Sequence, residues 1–201
     1  AFSMLQQVLT EGTADEVLTT GITGQVMLLA AGHSLGAGSE RFIADRSLDV
    51  FIPEAREYLK AFPGRIQMPV DVAVERDGQR VEIDVEDLPV PEPIVDIGSV
   101  TMAVYEERIA AAATIFVNGP AGVYERENSA EGTRRLWAAV AAASGTSVIG
   151  GGDTVSSAGR FIDPAEIDFV STGGGALIRY LSGQPLPLLD AMENAAERFG
   201  S

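Results

Sequence analysis

The residues best equipped for chemistry lie in three glycine-rich turns: Asn118-Gly119-Pro120, Gly150-Gly151-Gly152-Asp153-Thr154, and Ser171-Thr172-Gly173-Gly174-Gly175. Each follows a short apolar run, at Thr114 to Val117, Ser147 to Ile149 and Asp168 to Val170. Glycine has no Cβ, so its amide can approach a phosphate closely, and a helix beginning at such a turn adds a partial positive charge. Asp153 supplies a carboxylate of the kind that holds Mg²⁺ while phosphate oxygens complete the shell. One glycine cluster alone is equally well explained as a tight strand-to-helix turn. Its recurrence at successive strand ends points to an anionic ligand.

A second constellation competes. Gly32-His33-Ser34-Leu35-Gly36 fits the G-x-S-x-G nucleophile elbow of serine hydrolases. That mechanism needs a histidine base later in the chain than the serine. The chain has one histidine, His33, which precedes Ser34. No triad can be assembled, and His33 and Ser34 read as loop residues after a helix.

The elements that must position these turns alternate in period. Phe2, Leu5 and Leu9 predict a short amphipathic helix over 2–10, and Glu16 to Leu18 a brief strand ending near Gly21. The apolar run from Gln25 to Ala31 suits a buried helix or a strand, with Gly32, Gly36 and Gly38 closing it. Arg46 to Lys60 reads as one helix, stopped by Pro63-Gly64. Val70, Val72 and Val74 alternate, as do Val81, Ile83 and Val85, and Asp77-Gly78 between them is a hairpin turn. Ile94-Val95 is a short extended piece. Ser99 can cap a helix to about Ala113, and Asn128 with Glu131 has capping-box spacing for a helix closed by Gly145. Another helix follows the third glycine turn to Leu181. Short apolar strands alternating with helices imply an α/β fold: a Rossmann-like parallel sheet with helices on both faces plus a small β-hairpin, in one domain over 1–201. Open α/β sheets place ligands at the carboxyl ends of their strands, where the glycine turns fall.

Composition narrows the partners. The 201 residues are 46% hydrophobic and 21% charged, with a formal net charge of -15 and no cysteine. A field of that sign repels nucleic acid and anionic membranes, and the absence of thiols removes disulfide, thiolate-zinc and cysteine-nucleophile chemistry. No apolar run reaches the roughly 18 residues of a membrane span, no signal-peptide layout opens the chain, and a cytoplasmic location is expected. Lys60 is the sole lysine among 14 basic residues. Such a lysine-poor acidic surface suits a salt-rich cytoplasm, and a GC-rich codon bias accounts for it equally well.

The ordered motifs carry a resemblance. Asn118-Gly119-Pro120-Ala121-Gly122-Val123-Tyr124-Glu125, Gly132-Thr133, Gly150 to Thr154, and Ser171 to Ala176 are similar to those of phosphoglycerate kinase. Pro69-Val70-Asp71, Asp96-Ile97-Gly98 with Thr101, and Leu186-Pro187 support it. The resemblance spans the chain but only the C-terminal, nucleotide-binding half of that enzyme, closest to archaeal forms. It implies reversible phosphoryl transfer between 1,3-bisphosphoglycerate and MgADP, yielding 3-phosphoglycerate and MgATP. Glu125 would then bond the ribose, and Asn118, Pro120 and Val123 would line the nucleotide site. Gly21 would flank the adenine, with Gly151, Gly152 and Thr154 beside the phosphates. Asp153 would bind the Mg²⁺ of ADP or ATP, and Gly173, Gly174 and Gly175 would present backbone N–H groups to the transferring phosphoryl.

The same resemblance implies that Ala1 falls just after the family's Gly-Ala-Lys first strand. The N-terminal domain, which holds the phosphoglycerate, is expected to be absent. Lys60 lies in a different helix and cannot replace the lost lysines. The isolated chain is therefore expected to be inactive, with exposed edges and an unsupported stretch from Leu186 to Phe199. A non-catalytic nucleotide-binding module is the other reading. The family is usually monomeric.

Overall fold

A computed structural model describes Leu5 and residues 8–171. The third glycine turn with Gly173, Gly174 and Gly175, the helix to Leu181 and the stretch from Leu186 to Phe199 lie outside the described residues, as does most of the helix expected over 2–10.

Strand β1 (Val17–Leu18) leads into helix α1 (Gly21–Ala31), which is how the ambiguous apolar run folds. Val26 and Met27 are fully buried there and Leu28 nearly so, each side chain worth about 1.5–3 kcal/mol relative to exposure. Gly32 ends α1 in the left-handed conformation, its amide bonding back to Leu28 and Leu29. Helix α2 (Ala37–Asp45) then starts directly after Gly36, so the glycines at 36 and 38 open a helix. A Cβ at Gly36 would lie 2.0 Å from the Val90 carbonyl oxygen, which places the proline-rich segment against it.

The single helix expected over Arg46 to Lys60 is broken. Ser47 has a φ of 54°, a short 3₁₀ turn covers Asp49–Phe51, and helix α3 runs from Ile52 to Ala61. Pro53 explains the break, because its ring is tolerated in the first turn of a helix and disrupts an interior. β2 (Ile66–Gln67) pairs in parallel with β1.

The hairpin forms as expected. β3 (Asp71–Arg76) and β4 (Gln79–Asp84) pair antiparallel, with positive φ at both Asp77 and Gly78 as a type I′ turn requires. β3 also pairs antiparallel with β5 (Ile94–Ile97), so a three-stranded antiparallel sheet, β4-β3-β5, stands beside the parallel ones. Flanked on both sides, β3 is buried from Asp71 to Val74.

Helix α4 (Ser99–Ala111) has Gly98 rather than Ser99 at its cap. β6 (Thr114–Val117) matches its expected run. Helix α5 (Glu131–Ala142) has Ala130 at its cap with no side-chain hydrogen bond, so the Asn128–Glu131 box does not form. Asn128 Nδ2 instead donates to the Gly78 carbonyl at 2.7 Å, and a distant acid serves the helix. β7 (Thr146–Gly150), helix α6 (Gly152–Phe161) and β8 (Phe169–Ser171) follow, with β6-β7-β8 a parallel sheet.

Among the described residues, apolar side chains gather in three groups. One joins α1, α2, α3 and β3 through residues such as Met27, Ile43, Tyr58 and Val72. Another joins the β6-β7-β8 sheet to α5 and α6 through Ile115, Trp137, Val140 and Ile149. Between them Ile97, Met102, Tyr105 and Ala121 form a small third group, and Leu18 packs against the last two.

Candidate nucleotide site

β6 and β7 run side by side in parallel, with Val117 opposite Ile149, so their carboxyl ends release the Asn118 loop and the Gly150-Gly151 turn together. The Gly119 N–H donates to Thr154 Oγ1 at 2.8 Å and ties the two. Gly151 has a φ of 105°, which favours glycine, and a Cβ there would lie 3.3 Å from Thr154 Oγ1 and 3.7 Å from Asn118 Oδ1. Gly21 opens α1 against the same loop. A Cβ at Gly21 would stand 3.3 Å from the Pro120 carbonyl oxygen. Gly21, Asn118, Pro120, Gly151 and Thr154 are thus brought together, although 130 positions separate the first from Gly151.

Beyond Pro120 the loop is pinned amide by amide. Ala121 and Gly122 N–H both donate to Thr133 Oγ1 at 3.2 Å, and Val123 N–H donates to the Val95 carbonyl at 2.9 Å. This leaves Val123 39% exposed and Glu125 exposed. Burial raises the pKa of the Tyr124 phenol, and the charges of Glu125 and Asp153 push it further the same way. Both carboxylates therefore lie within electrostatic reach of one ring.

Asp153 sits exposed in the first turn of α6, whose Gly151 cap offers no side-chain partner to the leading amides. A Cβ at Gly152 would meet open space. Free amides and the positive end of the helix suit an anion. The exposed Val123, in the same loop as Pro120, offers an apolar surface. Thr154 is buried, and its hydroxyl oxygen serves the loop.

Ser34 is held elsewhere. Its hydroxyl donates to Glu40 Oε1 at 2.8 Å, and Leu35 and Gly36 N–H converge on the same oxygen. These bonds, the Ser34 hydroxyl first, hold the Glu40 carboxyl below its ordinary range. A helix precedes Ser34 where an elbow needs a strand.

Three supporting residues escaped sequence reasoning as functional candidates: Thr133, Asp96 and Arg80. Asp96 Oδ2 accepts from Arg80 Nη1 and from Gly132 N–H, both at 2.8 Å. Burial pushes the Asp96 carboxyl up, opposed by the Gly132 N–H and Arg80. Only the Gly132-Thr133 and Asp96-Ile97-Gly98 motifs marked the neighbourhood.

The phosphoglycerate kinase family model matches residues 1–184. The chain belongs to the phosphoglycerate kinase family. Curated phosphoglycerate kinases from Methanothermobacter thermautotrophicus and Natronomonas pharaonis are 41% and 43% identical over 192 and 193 residues. Each match takes in 96% of this chain, and 46% and 48% of the respective relative. The crystal structure of phosphoglycerate kinase from Pyrococcus horikoshii superposes with a TM-score of 0.90 at 37% identity, covering 98% of this chain and 50% of that one. The Coxiella burnetii enzyme gives 0.81 at 30% identity. The chain thus spans about half the length of the phosphoglycerate kinases it matches.

Among the described residues no cluster of three or more histidine or carboxylate side chains could hold a metal by itself. Asp153, lone and exposed beside free helix amides, fits a Mg²⁺ that arrives with phosphate oxygens in its shell. No helix among the described residues is long and apolar enough to cross a membrane.

Proposed function

We propose that this chain is a single nucleotide-binding domain of a cytoplasmic phosphoglycerate kinase, seating MgADP or MgATP across Gly21, the Asn118–Glu125 loop and the start of α6. The convergence of Gly21, Pro120, Gly151 and Thr154 at the carboxyl edge of the parallel strands carries this reading. Gly21 and Pro120 face one another where the base would enter, with the exposed Val123 as an apolar neighbour. Glu125 would accept from the ribose hydroxyls. The amides of Gly151 and Gly152 would receive the phosphates, Asn118 would donate its side-chain amide to them, and Asp153 would bind the accompanying Mg²⁺. When bound, that ion neutralises charge on the phosphate oxygens. Gly173, Gly174 and Gly175 would offer N–H groups to the group in transfer.

In this reading an oxygen of the ADP β-phosphate attacks the acyl phosphate of 1,3-bisphosphoglycerate, whose carboxylate leaves as 3-phosphoglycerate. The acid substrate would be held by the part of the relatives' length that this chain does not span. Such a transfer needs positioning and charge neutralisation more than covalent help. The isolated chain should therefore bind nucleotide without turnover. Calorimetric titration with MgADP at high salt tests the site. Asp153→Ala and Glu125→Ala should each weaken binding about tenfold, the loss of one charge-assisted contact. Affinity unmoved in both variants would overturn the assignment.

A further inference from the structure

Asp96 is a charge with no exposure: its side chain is 0% accessible. Arg80 Nη1 and Gly132 N–H reach its Oδ2, and Ile97 N–H reaches Oδ1 at 2.9 Å. Two glycines press on the same carboxylate. A Cβ at Gly122 would lie 2.5 Å from Oδ1 and 2.7 Å from the Ser129 carbonyl oxygen, and one at Gly132 would lie 2.3 Å from Oδ1 and 2.8 Å from Ile97 Cγ1. Neither position can take a side chain while Asp96 stays in place. Gly122 belongs to the loop before Glu125, and Gly132 lies beside Thr133, whose hydroxyl oxygen receives the Ala121 and Gly122 amides. The residue before Asp96, Val95, takes the Val123 amide. Arg80 extends the grip, donating also to the Ile97 carbonyl at 2.6 Å and to the Asn128 carbonyl at 3.4 Å.

We propose that Asp96, with Arg80 as its counter-charge, is a positioning residue for nucleotide binding. It sets the height of the Pro120–Glu125 loop and so decides where Val123 and Glu125 meet the nucleoside. This rests on the nucleotide reading given above. Asp96 touches no ligand and acts through Gly122 and Val123. The start of α6, with Asp153, is tied to the loop upstream of Pro120 by the Gly119 to Thr154 bond and makes no contact with Asp96 among the hydrogen bonds of the described residues. The device is therefore specific to the nucleoside end of the ligand.

The test is calorimetry on the 201-residue chain with two probes, MgADP and Mg-pyrophosphate. Asp96→Asn keeps the shape but presents an N–H₂ group where an acceptor is needed. It should weaken MgADP about tenfold or more, the effect of a loop displaced by a fraction of an ångström, and leave Mg-pyrophosphate within twofold. Gly122→Ala should do the same by steric contact. Equal weakening toward both probes, or unchanged MgADP affinity in folded Asp96→Asn, would overturn the proposal. Near-ultraviolet circular dichroism checks folding, and Gly122→Ala carries the test if Asp96→Asn does not fold.

A wild-type chain that binds neither probe would instead overturn the functional reading. Amide exchange then decides the positioning claim by itself. Exchange at Val123 and Gly132 should be faster in Asp96→Asn, or in Gly122→Ala if that variant alone folds, and unchanged exchange there refutes the claim.

Discussion

Asp71 performs for α4 what a cap residue in sequence would do, from 29 positions away. Its Oδ2 accepts Val100 N–H at 2.9 Å, and its Oδ1 accepts Thr101 N–H at 2.8 Å and the Thr101 hydroxyl at 2.5 Å. Gly98 makes room, since a Cβ there would lie 2.2 Å from the carboxylate. Asp71→Ala leaves the buried Thr101 amide and the part-buried Val100 amide without an acceptor, at about 1–3 kcal/mol each before relaxation, the Val100 amide at the low end. The Thr101 hydroxyl recovers part of the loss through its contact with the Asp71 carbonyl at 3.2 Å. A net cost of about 3 kcal/mol follows, equivalent to about 6–12 °C in Tm for a chain of this length. Asp71→Asn retains one acceptor and should cost about 2 kcal/mol. Gly98→Ala drives the carboxylate off the same amides and should cost about as much as Asp71→Ala. Because both changes break one set of bonds, the double variant should fall short of additivity by about 2 kcal/mol. Urea unfolding followed by emission from Trp137, the chain's one tryptophan, measures all four corners of the cycle. Additive costs would refute the distal-cap account, and so would an Asp71→Ala variant as stable as wild type.

Two further outcomes follow from the same geometry. Thr154→Val keeps the buried volume but strips the Gly119 amide of its acceptor, so stability should fall by about 1–2 kcal/mol; an unchanged urea midpoint would contradict the tie between the two turns. In acid, Asp168 and Glu40 should contribute alongside Glu82 and Glu92, whose carboxyls are also held low. The Ser147 N–H and then its hydroxyl hold Asp168 below its ordinary pKa, as the Ser34 hydroxyl and Leu35 N–H hold Glu40. A depressed folded-state pKa stabilises fully above the unfolded value, near 4, and that contribution is lost as pH falls through the folded value. Asp168→Asn and Glu40→Gln should each lower stability at pH 7 and flatten its decline below about pH 4, and a decline as steep as the wild type's would refute the attribution.

What could be read in the sequence was local. The hairpin was legible because Asp77-Gly78 carries its own backbone geometry, and β6 because Thr114 to Val117 is apolar and bounded by a turn. The grouping of the first two glycine turns followed from strand ends alone. What escaped depends on partners far along the chain. Asn128 and Glu131 have the spacing of a capping box, yet Asp96, 36 positions before Gly132, supplies the acceptor, and Asn128 turns to the hairpin. The break at Ser47 escaped because the apolar period runs through it. The roles of Gly98, Gly122 and Gly132 escaped for a different reason. A glycine that accommodates a neighbouring carboxylate looks, in sequence, like any turn glycine.

The β-structure of the described residues divides into three sheets, and no ladder joins β1-β2 to β6-β7-β8. Side chains bridge that line instead, with Leu18 wedged against two apolar groups and the Tyr105 hydroxyl 3.1 Å from the carbonyls of Thr19 and Gln67. Gly21 and Pro120 meet across the same line. A ligand seated over both would act as a staple on a seam that no strand ladder crosses. Its binding free energy would then appear as cohesion between the two flanks. Occupancy and rigidity become one quantity in such an arrangement, and a partner that drew the flanks together would raise ligand affinity by the same factor.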